Sequence, residues 1–276
     1  MEDVLSDSST IAAAFDGEAA SYDARFSDHP SARAMRQASW SVYADYLTPG
    51  DRVLDLNCGT GADFPFFAEQ GACLSGLDCS PHMLAVAKER GLKARLWQMD
   101  FNDLDALETT YHLICSNFGG LNTQPFFDKF SASCWRKLEP GGYLIVNVMT
   151  QWPLAEILEG LLRGRHLFRR RRHGGCLSLN VGGEMVDTWY FRPLPFYGQF
   201  AEHFELVKLV GLGALLPPPY LNPRRLFGFR FLHLLERMLA RRFPFNRLGD
   251  HTMLVMRARD ETKMRRPQTK PAGRMC

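Results

Sequence analysis

The stretch Val53-Leu54-Asp55-Leu56-Asn57-Cys58-Gly59-Thr60-Gly61 constrains this chain more than any other. An apolar run of strand length passes directly into a turn of small residues, and a helical pattern begins at Asp63. Such a turn lets the backbone approach a ligand closely, and the helix start beyond it offers unpaired N–H groups. Glycine in a tight turn is weak testimony on its own, because many turns need it only for their dihedral angles. The alternation of strands and helices downstream of the turn gives it weight.

From Arg52 short apolar runs at 53–56, 73–77, 94–98, 111–116 and 143–149 alternate with helical stretches at 63–70, 81–90 and 126–138. Gly71, Gly91 and Gly141-Gly142 supply the helix stops. That cadence predicts a parallel sheet covered on both faces. Ahead of it, Ile11, Phe15, Ala19 and Tyr22, then Ala34, Ala38, Val42 and Tyr46, follow helical stripes as far as Pro49-Gly50. After Thr150 the cadence breaks. A helix at 152–162 leads into Arg163, Arg165 and the run 169–172, and a hairpin follows at 176–181 and 184–191 around Gly182-Gly183. A strand at 204–212, a basic amphipathic helix within 224–242 and a last strand at 252–257 complete the pattern. The expected organisation is a helical lid (1–47), an α/β core (48–150), a cap inserted over the ligand-binding sheet edge (151–203), a return to the core (204–259) and a polar tail (260–276).

With 276 residues, 46% hydrophobic and 23% charged, the chain has material for a large core, which excludes disorder, coiled coil or collagen for the whole. The longest uncharged stretch, 209–223, is too short for a bilayer span and is broken by Pro217, Pro218 and Pro219. The N-terminus opens with Glu2, Asp3 and Asp7, unlike the basic region of a cleaved leader. Seven cysteines, an odd count mostly in predicted strands or at their ends, read as free thiols of a cytoplasmic protein, with neither a disulfide scaffold nor a zinc site. Residues 1–150 carry 11 basic and 20 acidic side chains, the remainder 22 and 10, so the two halves have different electrostatic roles.

Two further carboxylates fall where strands end. Asp78 closes the second strand about 20 residues beyond the glycines, where an acid can take both hydroxyls of a ribose. Asp100-Phe101 closes the third, pairing an acceptor for an exocyclic amine with a ring that can stack on a purine.

These residues resemble the class I S-adenosylmethionine-dependent methyltransferases, in particular the bacterial quinone-biosynthesis and small-molecule group. The resemblance rests on Asp55 to Gly61, on Leu77-Asp78-Cys79-Ser80-Pro81-His82-Met83-Leu84, on Asp100-Phe101, on Cys115-Ser116-Asn117 and on Leu138-Glu139-Pro140-Gly141-Gly142, while Phe15 to Tyr22-Asp23 looks like the group's N-terminal lid. It covers roughly residues 10–150 well and the rest in outline. It implies a Rossmann-like sheet of about seven strands, one of them antiparallel. It further implies that Asp55, Gly59 and Gly61 hold the methionine end of S-adenosylmethionine, Asp78 the ribose, and Met83, Asp100 and Phe101 the adenine, with Asn57 and Cys79 also among the cofactor-binding residues. Asn117 would line the transfer site and Tyr22 would close over the sulfonium. A dinucleotide enzyme would want Gly-x-Gly-x-x-Gly to seat a pyrophosphate, which an acid at Asp55 would repel; the same acid attracts a methionine ammonium. The family commonly has glycine where this chain has Asn57, the next most tolerant residue of left-handed backbone.

The expected reaction is methyl transfer to a small, apolar or lipid-like acceptor at O, N or C. An RNA methyltransferase using the arginine run, and a protein that binds S-adenosylmethionine without turnover, are the alternatives. The basic segments suit an anionic acceptor or peripheral membrane contact as well as a solvated face; nucleic acid is disfavoured because no RNA-binding module accompanies them. No base stands out among eight scattered histidines. Tyr22, Asn117, His29 near the lid and His173 in the cap are the catalytic candidates, and no metal is expected.

Overall fold

The structure, a computed structural model, describes residues 7–163, 171, 175–217 and 229–260. His173, all of the arginine run except Arg171, the beginning of the basic helix and the tail lie outside the described residues.

Seven strands form one sheet in the order β3-β2-β1-β4-β5-β9-β8. They are β1 (Arg52–Leu56), β2 (Cys73–Asp78), β3 (Ala94–Gln98), β4 (Tyr111–Ser116), β5 (Leu138–Met149), β8 (Phe204–Leu212) and β9 (His251–Ala258). The first five run parallel, and β9 lies antiparallel between β5 and β8. Strands with both faces covered need apolar side chains in both directions. Accordingly Leu54, Leu56, Ile114 and Leu254 point into one core with Phe127, Phe130 and Phe200. Val53, Leu113, Ile145 and Met253 point into the other with Tyr43, Phe64 and Phe67.

β5 begins five residues before the expected 143, because Leu138 already pairs with Tyr111 and a register shift absorbs the glycines before Tyr143 meets Leu113. The crossover helices are α3 (Phe64–Glu69), α4 (Pro81–Glu89) and α5 (Asp128–Lys137). The N-terminal helices are α1 (Ser8–Glu18) and α2 (Pro30–Tyr43), joined through a π-helical turn at Asp23–Ser27. Beyond β5 come α6 (Leu154–Arg163), the hairpin β6 (Cys176–Val181) and β7 (Glu184–Trp189), α7 (Pro193–Gly198) and, after β8, α8 (Phe229–Leu239).

β2 and β4 flank β1, so the strand order reverses there and leaves a crevice beyond the carboxyl ends. The hairpin turn at Gly182 and Gly183, both with positive φ, reaches across to α1, where Gly182 N–H donates to Glu18 Oε1 at 3.1 Å.

Candidate functional site

The turn after β1 is left-handed at three positions, Asn57 (φ 54°), Gly59 (φ 53°) and Gly61 (φ 68°). Asn57 thus adopts the conformation for which its residue type is suited. A Cβ at Gly61 would strike the Phe64 ring at 2.7 Å, whereas nothing lies within 4 Å of one at Gly59, so Gly61 packs the turn and Gly59 leaves space above it.

Asp78 braces this turn from the neighbouring strand. Its carboxylate accepts from Gly59 N–H at 2.8 Å and from Ser80 N–H at 2.9 Å. Burial raises the Asp78 pKa against the lowering effect of these bonds. Each oxygen keeps acceptor capacity for a further donor. Half-buried Cys79 comes next, its thiol pushed up to about 12 by burial and by Asp78 and Asp100.

Asp55 ends β1 buried, accepting from the Cys115 thiol at 3.7 Å. Burial and then nearby Asp63 push its pKa well up, while Arg36 opposes them. Asp63 gathers the remaining polar groups: Trp40 Nε1–H donates to it at 2.6 Å, Asn117 Nδ2–H at 3.0 Å, and the Arg36 guanidinium pairs with it at 2.7 Å. Asn147 Nδ2–H in turn donates to Asn117 Oδ1 at 2.7 Å. Burial disfavours the charge on Arg36, but Asp63, Tyr22 and Asp55 together raise its pKa above the usual guanidinium value. The site is therefore one buried cation set between two buried acids.

The N-terminal segment covers this space. Tyr22 packs between Phe15 and Phe26, with ring centroids at 6.4 and 5.1 Å. Burial raises its pKa, and Arg36, Asp78, Asp23 and Asp63 all act on it, which puts the phenol over the acids and the arginine. Asp23 accepts from Thr60 Oγ1 at 2.7 Å and pairs with Arg90. Asp16 accepts from Ser80 Oγ and from His82 N–H.

Of the residues expected from sequence, Asp55, Asn57, Gly59, Gly61, Asp78, Asn117 and Tyr22 come together here. Asp100 caps the helical turn after β3 by accepting from Asn102 N–H at 2.7 Å. Phe101 is buried, its ring edge-on against Phe130 at 5.3 Å. Met83 is likewise enclosed in the first turn of α4. His29 caps α2, its Nδ1 accepting from Ser31 N–H at 3.3 Å. Sequence reasoning missed Arg36, Asp63 and the lid ties of Asp16 and Asp23.

An amino acid with an adenosyl group on its sulfur fits these residues. Arg36 Nε and Asn57 Nδ2 are buried without partners, and the space over Gly59 is open. A buried donor left unpaired costs about 1–3 kcal/mol, which a carboxylate or hydroxyl placed there would recover.

Residues 53–142 match the family described as "Methyltransferase domain". The demethylmenaquinone methyltransferase of Tropheryma whipplei is 33% identical over 102 residues, 36% of this chain and 42% of that protein. The ubiquinone biosynthesis O-methyltransferase of Pseudomonas savastanoi is 25% identical over 183 residues, 60% of this chain and 77% of its own length. The chain thus spans less than half of the first of these relatives. In fold it is similar to 1,6-didemethyltoxoflavin-N1-methyltransferase of Burkholderia thailandensis, solved with S-adenosylhomocysteine, at a TM-score of 0.55, 20% identity and 94% coverage of each chain. Residues 53–142 thus carry a methyltransferase domain, and the sheet order around its glycine turn is that of the Rossmann-like class I methyltransferase fold.

Proposed function

We propose that the protein transfers a methyl group from S-adenosylmethionine to a small acceptor with an apolar or lipid-like body. The single observation that carries this reading is the cluster Arg36–Asp63–Asp55 beside the left-handed turn. A zwitterionic amino acid tail presents one cation and one anion, and this cluster offers a partner for each: Asp55 for the ammonium, Arg36 for the carboxylate. Asp78 would hold the ribose hydroxyls, and the Tyr22 ring would close against the sulfonium. S-adenosylmethionine supplies an electrophilic methyl group on positively charged sulfur; the protein supplies alignment and exclusion of water.

The acceptor class is read from the surfaces of the cap and the return segment. Leu158 and Leu161 on α6 are 47% and 69% exposed, and Phe231, Leu234 and Met238 on α8 are 61%, 54% and 62% exposed. On α8 these side chains recur at helical spacing beside the exposed Arg237, the arrangement of a helix that meets an apolar, anionic surface. No described helix is long and apolar enough to cross a membrane.

Methyl-labelled S-adenosylmethionine, incubated with the protein and cell extract and fractionated into lipid, small-molecule and RNA pools, tests the proposal. Label in the lipid or small-molecule pool is expected. Label confined to RNA overturns the acceptor class, and no transfer at all overturns the activity.

A further inference from the structure

A methyltransferase that acts on a hydroxyl or a protonated nitrogen must dispose of a proton, and the cofactor cluster has no group suited to take it. Arg36 is a cation, Asp63 is engaged by three donors and Asp78 by two, and Asp55 is committed to the ammonium of the methionine end.

Of the described histidines, His251 is the one on a sheet strand at the carboxyl edge of the parallel strands. His251 opens β9, opposite Met149 at the end of β5 and Leu212 at the end of β8. His112 lies at the other edge, where its Nδ1 accepts from Arg52 N–H at the start of β1. His29 caps α2, His203 lies 3.2 Å from Ser131 Oγ, His82 is exposed on α4, and His233 lies on α8.

The His251 ring meets the Phe118 ring edge to face at 5.5 Å, and on Phe118 rests the Arg36 guanidinium, 4.5 Å from the ring centroid. Phe118 directly follows Asn117 and holds a left-handed backbone at φ 51°. For a bulky residue that conformation is strained, and such strain collects at ligand-binding sites. One aromatic ring therefore separates the Arg36 end of the cofactor cluster from an imidazole.

The two ring nitrogens differ in their surroundings. Nδ1 is buried and lies 2.9 Å from Asp250 Oδ2, close enough for an ion pair though not aligned as a hydrogen bond. Catalytic hydrogen bonds are often poorly aligned before substrate binds. Nε2 has no protein partner among the described residues and, unlike Nδ1, is not sealed from open space. Asp250 is fixed from the far side: Arg171 bridges its Oδ1 and Glu156 Oε1, both at 2.9 Å, and lies 4.7 Å from the Tyr190 ring centroid. An imidazolium at His251 would thus face the Asp250 carboxylate directly. Arg171 is occupied by two acids, and Arg36 stands behind Phe118.

We infer that His251, oriented by Asp250, is the general base of the methyl transfer and that the acceptor presents an O–H or N–H to its Nε2. The inference rests on the methyl-transfer reading. As the acceptor's O–H or N–H bond breaks, its proton passes to Nε2. The electron pair left on the acceptor atom bonds to the methyl carbon, and the pair of the carbon–sulfur bond stays on sulfur as a neutral thioether. An acceptor methylated at an acidic carbon centre would use the same base, whereas a sulfide or tertiary amine would not need it.

The test compares wild type with His251→Gln. Calorimetry with S-adenosylhomocysteine is expected to give affinities within about threefold, because His251 lies beyond Phe118 from the cofactor cluster. Transfer of label into the small-molecule and lipid pools should fall by about 10²-fold or more, the usual worth of a general base. Independently of activity, ¹⁵N spectra of His251 at pH 8 should show the proton on Nδ1 and a bare Nε2. Transfer by the variant within threefold of wild type, loss of S-adenosylhomocysteine binding, or a protonated Nε2 overturns the assignment. A wild-type protein that binds S-adenosylhomocysteine but labels nothing overturns the methyl-transfer reading, and the nitrogen spectra then decide the tautomer separately.

Discussion

A Cβ on Gly120 would lie 2.5 Å from Cβ of Asn57 and 2.6 Å from its Nδ2, so the turns after β1 and β4 share one small volume and Asn57 fills it. Gly120 has no positive φ, so its glycine answers to this contact and not to its dihedrals. Gly120→Ala should therefore cost about 1–3 kcal/mol by overpacking. In an Asn57→Gly background the obstructing atoms are gone and the same change should cost less than about 1 kcal/mol. Asn57→Gly alone should keep the turn, because glycine enters left-handed backbone at least as readily as asparagine, and should weaken S-adenosylhomocysteine binding by about 5-fold or more through loss of the Nδ2 donor. Urea denaturation of the two single variants and the double variant measures the coupling, and additive costs would disprove the shared volume.

Asp55 illustrates a site held at the expense of the fold. Its pKa is well above the ordinary carboxylate value because burial and Asp63 disfavour the charge. A raised folded pKa contributes stability that is present below the ordinary value of about 3.9 and is lost as pH climbs through the folded value. At neutral pH Asp55→Asn should thus raise the melting temperature by roughly 2 °C or more, a shift worth about 1 kcal/mol in a chain of this size. The gain should shrink as the pH is taken toward 4. The same variant should lose at least about 10-fold in S-adenosylhomocysteine affinity, since the ammonium loses its counter-charge. A variant that is less stable at pH 7 would contradict this account.

The lid depends on ties that can be cut singly. Asp23 joins Thr60 in the glycine turn and Arg90 at the end of α4 to the segment carrying Tyr22. Because the pair is partly exposed, removing it should change global stability by about 1 kcal/mol or less. A cover that is tied down for a smaller fraction of the time reduces apparent affinity by that fraction without unfolding the chain. Asp23→Ala should weaken S-adenosylhomocysteine binding by about 5- to 30-fold while the melting temperature moves by no more than roughly 4 °C. An equal loss of both would make Asp23 a fold residue and not a latch.

How far the sequence reaches is seen by comparing Asp78 with Arg36. Asp78 is legible because strand, glycine turn and strand end are consecutive local signals, and the same locality places β3, β4 and β8 at their observed bounds. Arg36 is not, because one arginine on an amphipathic helix carries no mark of the carboxylate it will meet. Its partner Asp63 lies 27 positions away on another element, and only packing of α2 on the sheet brings the two to 2.7 Å. Phe101 shows the converse: local sequence puts its ring at a strand end, and a long-range contact with Phe130 turns it inward. His251 is one histidine among eight until the sheet order sets it beside Phe118.

The same dependence on distant partners makes Arg171 the most consequential single side chain of the described cap. It lies between Glu156 at the start of α6 and Asp250 ahead of β9, with its side chain 17% exposed. His251 and Arg171 overcome the effect of burial and hold Asp250 well below the usual carboxylate range. A depressed pKa contributes stability that is present above the ordinary value and lost as pH falls through the folded one. Removing one partner of a buried pair leaves the other charge uncompensated, at a cost of about 3 kcal/mol or more. Arg171→Met should therefore lower the melting temperature at pH 7 by roughly 6–12 °C. As the pH drops below about 4 the Asp250 of the variant takes up its proton first, and the gap should narrow. Thermal melts of both proteins at pH 7 and pH 3 decide the matter: a gap unchanged with pH would mean that Arg171 stabilises through packing on Tyr190 and not through its charge.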